Sequence, residues 1–176
     1  SYFLWSSMPD ERLFDLARKG ELRNRDVLTA EARRMLSDPK AQALVDNFAG
    51  QWLQLRDVEL LNPDPEQFTQ FDHQLRIAMR RETELFFESV MRDDRSVLDF
   101  LNADFTFVND RLARHYGMQD IEGDEFRRVA LGSQRRGVLT HASILMLTSN
   151  PTRTAFSSAI RMRISNSATG MSLRSM

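Results

Sequence analysis

The chain has 176 residues, enough for one domain with a buried core and too few for two ordinary domains. Hydrophobic residues make up 41% and charged residues 28%, a balance typical of globular proteins. No apolar run reaches the length of a membrane-spanning helix, so we expect no membrane span. The absence of cysteine excludes disulfides, thiol nucleophiles and thiolate metal sites within these residues. The chain starts at Ser1 and shows no signal peptide, and we interpret it as a fragment of a longer protein.

The net charge of −1 conceals a strong asymmetry along the chain. Residues 1–125 carry 16 basic and 25 acidic side chains, whereas residues 126–176 carry eight arginines and no acid. A basic block can mark a nucleic-acid or other anionic partner. No nucleic-acid motif or interleaved aromatic residue accompanies these arginines. We therefore expect no nucleic-acid partner, and favour a segment that folds onto the acidic body or is not native sequence.

Capping residues divide the first half of the chain into three predicted helices. Ser7 is the predicted cap of the first helix, which Gly20 ends. The second helix starts at about Asp26, and Asp38 with Pro39 starts the third. Apolar residues at helical spacing are predicted to be buried in all three: Leu13, Phe14, Leu16, Ala17, Leu28, Ala32, Met35, Leu36, Leu44, Val45, Phe48, Trp52 and Leu55.

The longest predicted helix runs from a cap at Asp72 to Arg92. Its apolar stripe contains Leu75, Met79, Phe86 and Val90. The opposite face carries charged residues with i,i+4 spacing, including the pairs Arg80/Glu84 and Glu88/Arg92. Glu82, Glu84 and Glu88 could form a carboxylate cluster for acid–base chemistry. We interpret them instead as a solvated, salt-bridged helix face.

The rest of the chain contains shorter elements. Ser96 is a candidate cap of a short helix, and Asn109 and Gly117 bound another helix. Alternation at 104–108 and the Phe126–Leu131 segment predict a small two-stranded ribbon. Residues 138–147 are a buried helix or strand, which periodicity alone does not decide. The predicted fold class is mostly α, an orthogonal multi-helix bundle with at most a small two-stranded β ribbon.

Catalytic and metal-binding motifs are absent from the sequence. No phosphate loop, His-Glu-x-x-His, Glu-x-x-His pair, nucleophile elbow or Cys-x-x-Cys-His occurs, so we predict no catalytic residues and no metal site. His73 is predicted to be solvated, and His115 to be a cation favoured by a helix C-terminus. His141 lies in an apolar segment, where a hydrogen-bonded core histidine is commoner than a ligand.

One polar loop, Leu147–Thr154, has the composition of a binding site. Four hydroxyls, the Asn150 amide and the Arg153 guanidinium converge within eight residues. Such a loop can bind an anion or a haem propionate, or it can be an ordinary capped loop. His141, Asn150 and Arg153 are therefore the candidate cofactor-binding residues.

Four motifs carry a resemblance to a known family: Ser1–Asp10, Asn47–Leu53, Arg81–Phe87 and Asn109–Gly117. Ser1–Leu131 resembles the helical domain of unknown function found in planctomycete-type multidomain proteins with a cytochrome-c-like haem domain. Residues 136–143 and 148–154 are similar to the start of its companion domain. The match ends after Thr154, and Ala155–Met176 is Ser-, Arg- and Met-rich without acids.

The resemblance implies three parts: a helical domain at 1–131, the truncated start of the companion domain at 132–154, and a divergent tail at 155–176, for which a frame shift and disorder are the two explanations. It also implies a periplasmic or exported protein whose other domains are its partners and whose haem c would lie outside this chain. The leading hypothesis is a scaffold or interaction domain that supports a redox domain, without catalysis of its own. The alternatives are part of an oxidoreductase or polymer-degrading enzyme with an inter-domain site, and a nucleic-acid-binding module.

Overall fold

The computed structural model describes residues 1–66, 68–132 and 134–149, and these form a mostly helical body with one antiparallel two-stranded ribbon. The predicted fold class is therefore confirmed. The α-helices of the described residues are α1 (Tyr2–Trp5), α2 (Glu11–Arg18), α3 (Arg25–Ser37), α4 (Gln42–Leu44), α5 (Gly50–Trp52), α6 (His73–Arg92), α7 (Asp99–Asn102), α8 (Asp110–Tyr116) and α9 (Ala142–Thr148). Short 3₁₀ turns lie at Glu21–Arg23, Pro39–Ala41, Leu55–Leu60 and Val138–Thr140, and a π turn at Val45–Ala49. None of the helices described combines the length and apolar character needed to cross a bilayer.

The N-terminal helices begin at different residues from those predicted. Asp10, and not Ser7, caps α2, because its extended backbone lets its carboxylate accept the Leu13 N–H at 3.0 Å. Asn24 caps α3 through the Asp26 N–H at 2.8 Å, so this helix begins one residue before the predicted start. Gly20 follows α2 with φ 71°, as the sequence predicts.

Fewer side chains of α2 and α3 are buried than the predicted apolar stripes contain. Leu13 and Met35 pack with Trp5 and Ala41 into one core cluster. Leu28 and Phe14, predicted to be buried, are exposed. The apolar spacing gave the correct helix face, but only part of each face is covered by neighbouring elements.

The prediction that Phe48 and Trp52 are buried is wrong, because a π turn lies at Val45–Ala49. Asp38 caps this run through the Lys40 N–H at 2.8 Å, as predicted. A π turn adds a residue to the helical repeat and so rotates the following side chains out of the 3.6-residue phase. Val45 and Ala49 are fully buried, whereas Phe48 is 41% and Trp52 52% exposed.

Helix α6 is the central element of the fold. Asp72 caps it through the Leu75 N–H at 2.7 Å, and its 20 residues span about 30 Å. The predicted stripe of Leu75, Met79, Phe86 and Val90 is buried. The helix packs against α3, α7, α8, α9 and the ribbon, so it forms one wall of most of the core.

The ribbon and α8 agree with the sequence. Strand β1 (Phe105–Val108) pairs antiparallel with β2 (Arg127–Ala130), with Phe105 opposite Ala130. The Asn109 side chain accepts the Leu112 N–H at 3.0 Å, so α8 begins with only Asn109 between it and the end of β1. Gly117 ends α8 with φ 71°.

The segment 138–147, predicted to be a helix or a strand, is helical: a 3₁₀ turn at Val138–Thr140 leads through His141 into α9. Ala142 and Met146 of α9 join the core cluster formed by Leu75, Met79 and Leu112. The segment after residue 131 thus shares the core of the preceding helices. The three-part division of the chain stays a prediction, and 155–176 lie outside the described residues.

Gly137 allows the backbone to enter this last segment. It adopts φ 59° and ψ −178°, a conformation that is essentially restricted to glycine. A Cβ at this position would lie 2.5 Å from the Leu101 carbonyl oxygen, and it would also collide with the Phe100 carbonyl. The Gly137 N–H donates to the Ala103 carbonyl at 3.0 Å, so the close approach holds the segment against α7.

We predict that Gly137→Ala lowers the free energy of unfolding by about 3 kcal/mol or more, because backbone strain and a backbone clash add. Gly117→Ala is the matched control. Gly117 has a similar positive φ, but no atom lies within 4 Å of its added Cβ, so about 1 kcal/mol is expected. Urea unfolding of both variants measures the difference, and equal losses would contradict the close-approach argument.

Candidate functional site

Six polar side chains meet inside the core and form what we call the buried polar network. Helix α6 contributes two of them, β1 and α8 one each, and the start of α9 the remaining two. The members are Glu82, Thr83, Thr106, Tyr116, His141 and Ser143.

Glu82 lies at the centre of the buried polar network and is 1% exposed. Its Oε1 accepts a hydrogen bond from the Thr106 hydroxyl at 2.7 Å, and its Oε2 accepts one from the Tyr116 hydroxyl at 2.5 Å. The Tyr116 oxygen in turn accepts the Ala142 N–H at 2.9 Å. Burial raises the pKa of Glu82 to about 7, although the hydrogen bonds from Tyr116 and Thr106 and the charge of Arg135 act to lower it.

The prediction that Glu82 lies on a solvated, salt-bridged helix face is wrong. Arg80–Glu84 and Glu88–Arg92 do form the ion pairs expected on the charged face, at 2.7 and 2.8 Å. Glu82 instead lies three residues after Met79 and four before Phe86, which places it on the buried stripe. The burial of Glu82 could therefore have been predicted from its spacing to Met79 and Phe86 in the sequence.

His141 is 1% exposed and is bonded through both ring nitrogens. Its Nδ1 lies 2.9 Å from the Thr83 hydroxyl and its Nε2 3.5 Å from the Thr106 hydroxyl. Thr83 also bonds Ser143 at 2.7 Å, and Phe86 packs its ring against the imidazole at 4.9 Å between centroids. Burial and then the charge of Arg135 lower the pKa of His141 to about 3, so this imidazole is neutral near pH 7.

Arg135 packs against the buried polar network through the Tyr116 ring. Its guanidinium carbon lies 3.6 Å from the centre of the Tyr116 ring, and one of its NH₂ groups donates to the Thr140 carbonyl at 2.6 Å. Burial and the nearby Glu82 carboxylate raise the pKa of Tyr116 well above its ordinary value. Tyr116 therefore remains a neutral hydrogen-bond donor to Glu82.

The other predicted residues lie apart from the buried polar network. His73 is exposed, as predicted. At His115, where the helix C-terminus favours a cation, burial, followed by the charges of Arg135 and Arg111, lowers the pKa to about 4. Asn150 and Arg153 lie outside the described residues, so a cofactor site that combines them with His141 stays a prediction. Within the part of the chain that the structure describes, no three His, Asp or Glu side chains are placed to hold a metal ion.

A second buried glutamate, Glu31 of α3, is paired with arginines of α2 and α3. Its carboxylate accepts from Arg12 at 2.7 Å and from Arg34 at 2.8 Å, and Arg34 also bonds Asp10 at 2.8 Å. Burial alone would raise the pKa of Glu31, but the hydrogen bonds from the two arginines hold it below its ordinary value. This cluster fastens the N-terminal helices together.

Phe3, Phe48 and Trp52 form an exposed patch that we call the aromatic surface. Phe48 stacks on Trp52 at 5.7 Å and meets Phe3 edge-on at 5.8 Å between ring centres. Trp52 and Phe48 also contact the mostly buried Phe87, which anchors the patch on α6. Contiguous exposed aromatic side chains of this kind mark protein interaction sites.

Residues 1–118 match the family PSD4, described as "Protein of unknown function (DUF1592)". Neither a curated protein nor a solved structure matches the chain. The matched span includes Glu82, Thr83, Thr106 and Tyr116 of the buried polar network and all of the aromatic surface. His141 and Ser143 lie beyond it.

Glu82 is predicted to make stability depend on pH. Its pKa is about 7 in the folded protein against an ordinary 4.5, so the folded state binds more protons between these values. The contribution of Glu82 is therefore fully present below pH 4.5 and falls by about 3 kcal/mol as the pH rises to 7. Glu82→Gln should remove this slope, although an altered hydrogen bond adds a constant offset. Urea unfolding at several pH values measures both profiles, and parallel curves would contradict the prediction.

Glu31→Gln is predicted to show the opposite sign. Because the pKa of Glu31 is held below 4.5, its contribution is present above pH 4.5 and is lost as the pH falls through the folded-state pKa. The stability gap between the wild type and Glu31→Gln should therefore narrow on acidification. The same unfolding series tests this, and a gap that widened towards low pH would overturn it.

Proposed function

The chain belongs to the family described as protein of unknown function (DUF1592), and we propose that it is a non-catalytic helical scaffold that supports a redox domain of its own longer protein. The observation that carries the proposal is that the acid–base side chains of the buried polar network are buried and hydrogen-bonded within the network. Glu82 and His141, its two side chains suited to acid–base chemistry, are both 1% exposed and bonded to other network members.

An active site must bring its acid or base within hydrogen-bond reach of a substrate. Here the Glu82 oxygens are taken by Thr106 and Tyr116, and the His141 nitrogens by Thr83 and Thr106. An inter-domain active site that used His141 would have to break these bonds and expose the ring. We therefore favour the scaffold over the enzymatic alternative.

The buried polar network supports a scaffold role in a second way. It bonds residues 141–143 to α6, β1 and α8, and Arg135 stacks on the end of α8. These residues lie in the segment that resembles the start of the companion domain. A scaffold built in this way would present the companion at a fixed position, and the resemblance favours an exported protein whose later residues hold haem c.

The aromatic surface is the face we assign to the redox domain. It offers three exposed rings on a base anchored by Phe87, and large aromatic side chains supply much of the binding energy of protein interfaces. Its neighbours Ser6, Asn47 and Arg56 are hydrogen-bonded to one another, which gives the patch a polar edge.

In the longer protein, Phe48→Ser combined with Trp52→Ser is expected to release the haem domain from this one. Small-angle scattering would then report a larger radius of gyration, while the haem spectrum stays unchanged. Ile77→Ser is the matched control, since Ile77 is an equally exposed apolar side chain about 15 Å along α6 from Phe87. A longer gene without a Cys-x-x-Cys-His segment, or an unchanged radius for the double variant, would contradict the proposal.

His141→Gln tests the absence of catalysis. It should lower the thermal unfolding midpoint, because a buried hydrogen-bonding pattern is lost, and leave turnover by the folded longer protein unchanged. Turnover measured with the variant fully folded, as checked by circular dichroism, distinguishes the two roles. A loss of turnover greater than about tenfold in a folded variant corresponds to about 1.4 kcal/mol and would favour an active site.

A further inference from the structure

Five members of the buried polar network form an unbranched row. In order they are Glu82, Thr106, His141, Thr83 and Ser143, with links of 2.7, 3.5, 2.9 and 2.7 Å. The three inner members are two hydroxyls and an imidazole, and each of these groups can donate one hydrogen bond while accepting another. The row therefore has two complete hydrogen-bond patterns that run in opposite directions.

With Glu82 ionised, every bond in the row points towards the carboxylate. Ser143 donates to Thr83, and Thr83 donates to Nδ1 of His141. The imidazole then carries its proton on Nε2 and donates to Thr106, which donates to Glu82 Oε1.

With Glu82 protonated on Oε1, every bond reverses. The carboxyl proton is donated to Thr106, and Thr106 donates to Nε2 of His141. The imidazole now carries its proton on Nδ1 and donates to Thr83, which donates to Ser143. Tyr116 donates to Oε2 in both patterns, so this branch stays unchanged.

We propose that this row is a two-state relay, in which the net uptake of one proton from solvent protonates Glu82, reverses all four links and switches His141 from the Nε2–H to the Nδ1–H tautomer. Nε2 gives its proton to Thr106 as Thr106 gives its own to Glu82 Oε1. Thr83 gives its proton to Nδ1 and is reprotonated from solvent, so that it then donates to Ser143, whose own hydroxyl hydrogen rotates away. The relay runs from α6 through β1 to the first turn of α9. It thereby communicates the protonation of one buried carboxyl to the segment that follows residue 137. The proposal stands on the geometry of the network and is independent of the scaffold role.

The groups around Glu82 keep the proton exchange on this carboxyl. Helix α8 contributes Tyr116, which stays neutral, and the 134–137 segment contributes Arg135, a fixed positive charge behind the Tyr116 ring. Strand β1 has no ionisable side chain, and Arg128 of β2 lies over Phe105 at 3.8 Å. On α6 itself, Arg80 and Arg81 pair with Glu84.

The two titrating groups of the relay are also well separated in pH. The pKa of Glu82 is raised to about 7 by burial, and that of His141 is lowered to about 3 by burial and Arg135. His141 therefore changes tautomer while it remains neutral. This behaviour differs from an ordinary histidine titration, in which both nitrogens become protonated.

The test is ¹⁵N NMR of the histidine rings in the intact chain between pH 5 and 9. We expect the Nδ1 and Nε2 shifts of His141 to exchange their NH-type and imine-type values at the same midpoint as the Glu82 carboxyl ¹³C shift. The exposed His73 ring, which lies outside the row, serves as an internal spectral reference. A single His141 tautomer throughout, or a cationic ring at the Glu82 midpoint, would overturn the relay.

Variants of the row locate the coupling. Thr106→Val keeps the side-chain shape and removes the link, so Glu82 should still titrate while the His141 tautomer no longer follows it. Ser143→Ala is the matched control, since it removes a hydroxyl at the far end and should leave the switch in place. If Thr106→Val does not fold, Glu82→Gln provides the second variant and should hold one tautomer at every pH. A tautomer switch that persists in either variant would overturn the proposal.

Discussion

The structure depends on keeping one carboxyl group, that of Glu82, inside an apolar core. A buried carboxylate without hydrogen-bond partners is too costly for a protein of this size to tolerate. Glu82 satisfies its two oxygens through Thr106 of β1 and Tyr116 of α8, and Tyr116 is held in turn by the Ala142 N–H. Helix α6, the ribbon, α8 and the start of α9 are therefore constrained to one arrangement, because displacing any of them leaves a buried polar group unsatisfied.

The two buried glutamates show how partner chemistry sets the behaviour of similar groups. Glu31 faces two guanidinium groups, which stabilise its ionised form, and its pKa is held down. Glu82 faces two hydroxyls, which are weaker partners for a charge, and burial dominates. The N-terminal helices are thus held by fixed charges, whereas the central core contains a carboxyl that can gain or lose a proton near neutral pH.

The interior and the surface of the protein support different parts of the functional interpretation. The buried polar network bonds its members to one another, which favours a structural role for the DUF1592 domain. The aromatic surface offers what the interior lacks, an exposed apolar patch on a rigid base. Support of a redox domain would act through this surface, while a proton-sensitive relay would act inside the core.

Sequence alone determined the features that depend on neighbouring residues. The caps at Asp72 and Asn109 and the terminal glycine at Gly117 were predictable, because each acts within four residues along the chain. The stripe of α6 and the pairing of the ribbon followed from periodicity. These local signals were sufficient for the fold class.

Only the tertiary structure decided what depends on contacts between distant residues. The π turn that turns Phe48 and Trp52 outwards is invisible to a 3.6-residue repeat. The bonds from His141 to Thr83 and from Tyr116 to Glu82 join residues 58 and 34 positions apart. Residue spacing placed Glu82 on α6, but the donors around it come from β1 and α8. Their convergence made it a buried acid and not part of a solvated face, because the environment of a side chain is set by the elements packed against it.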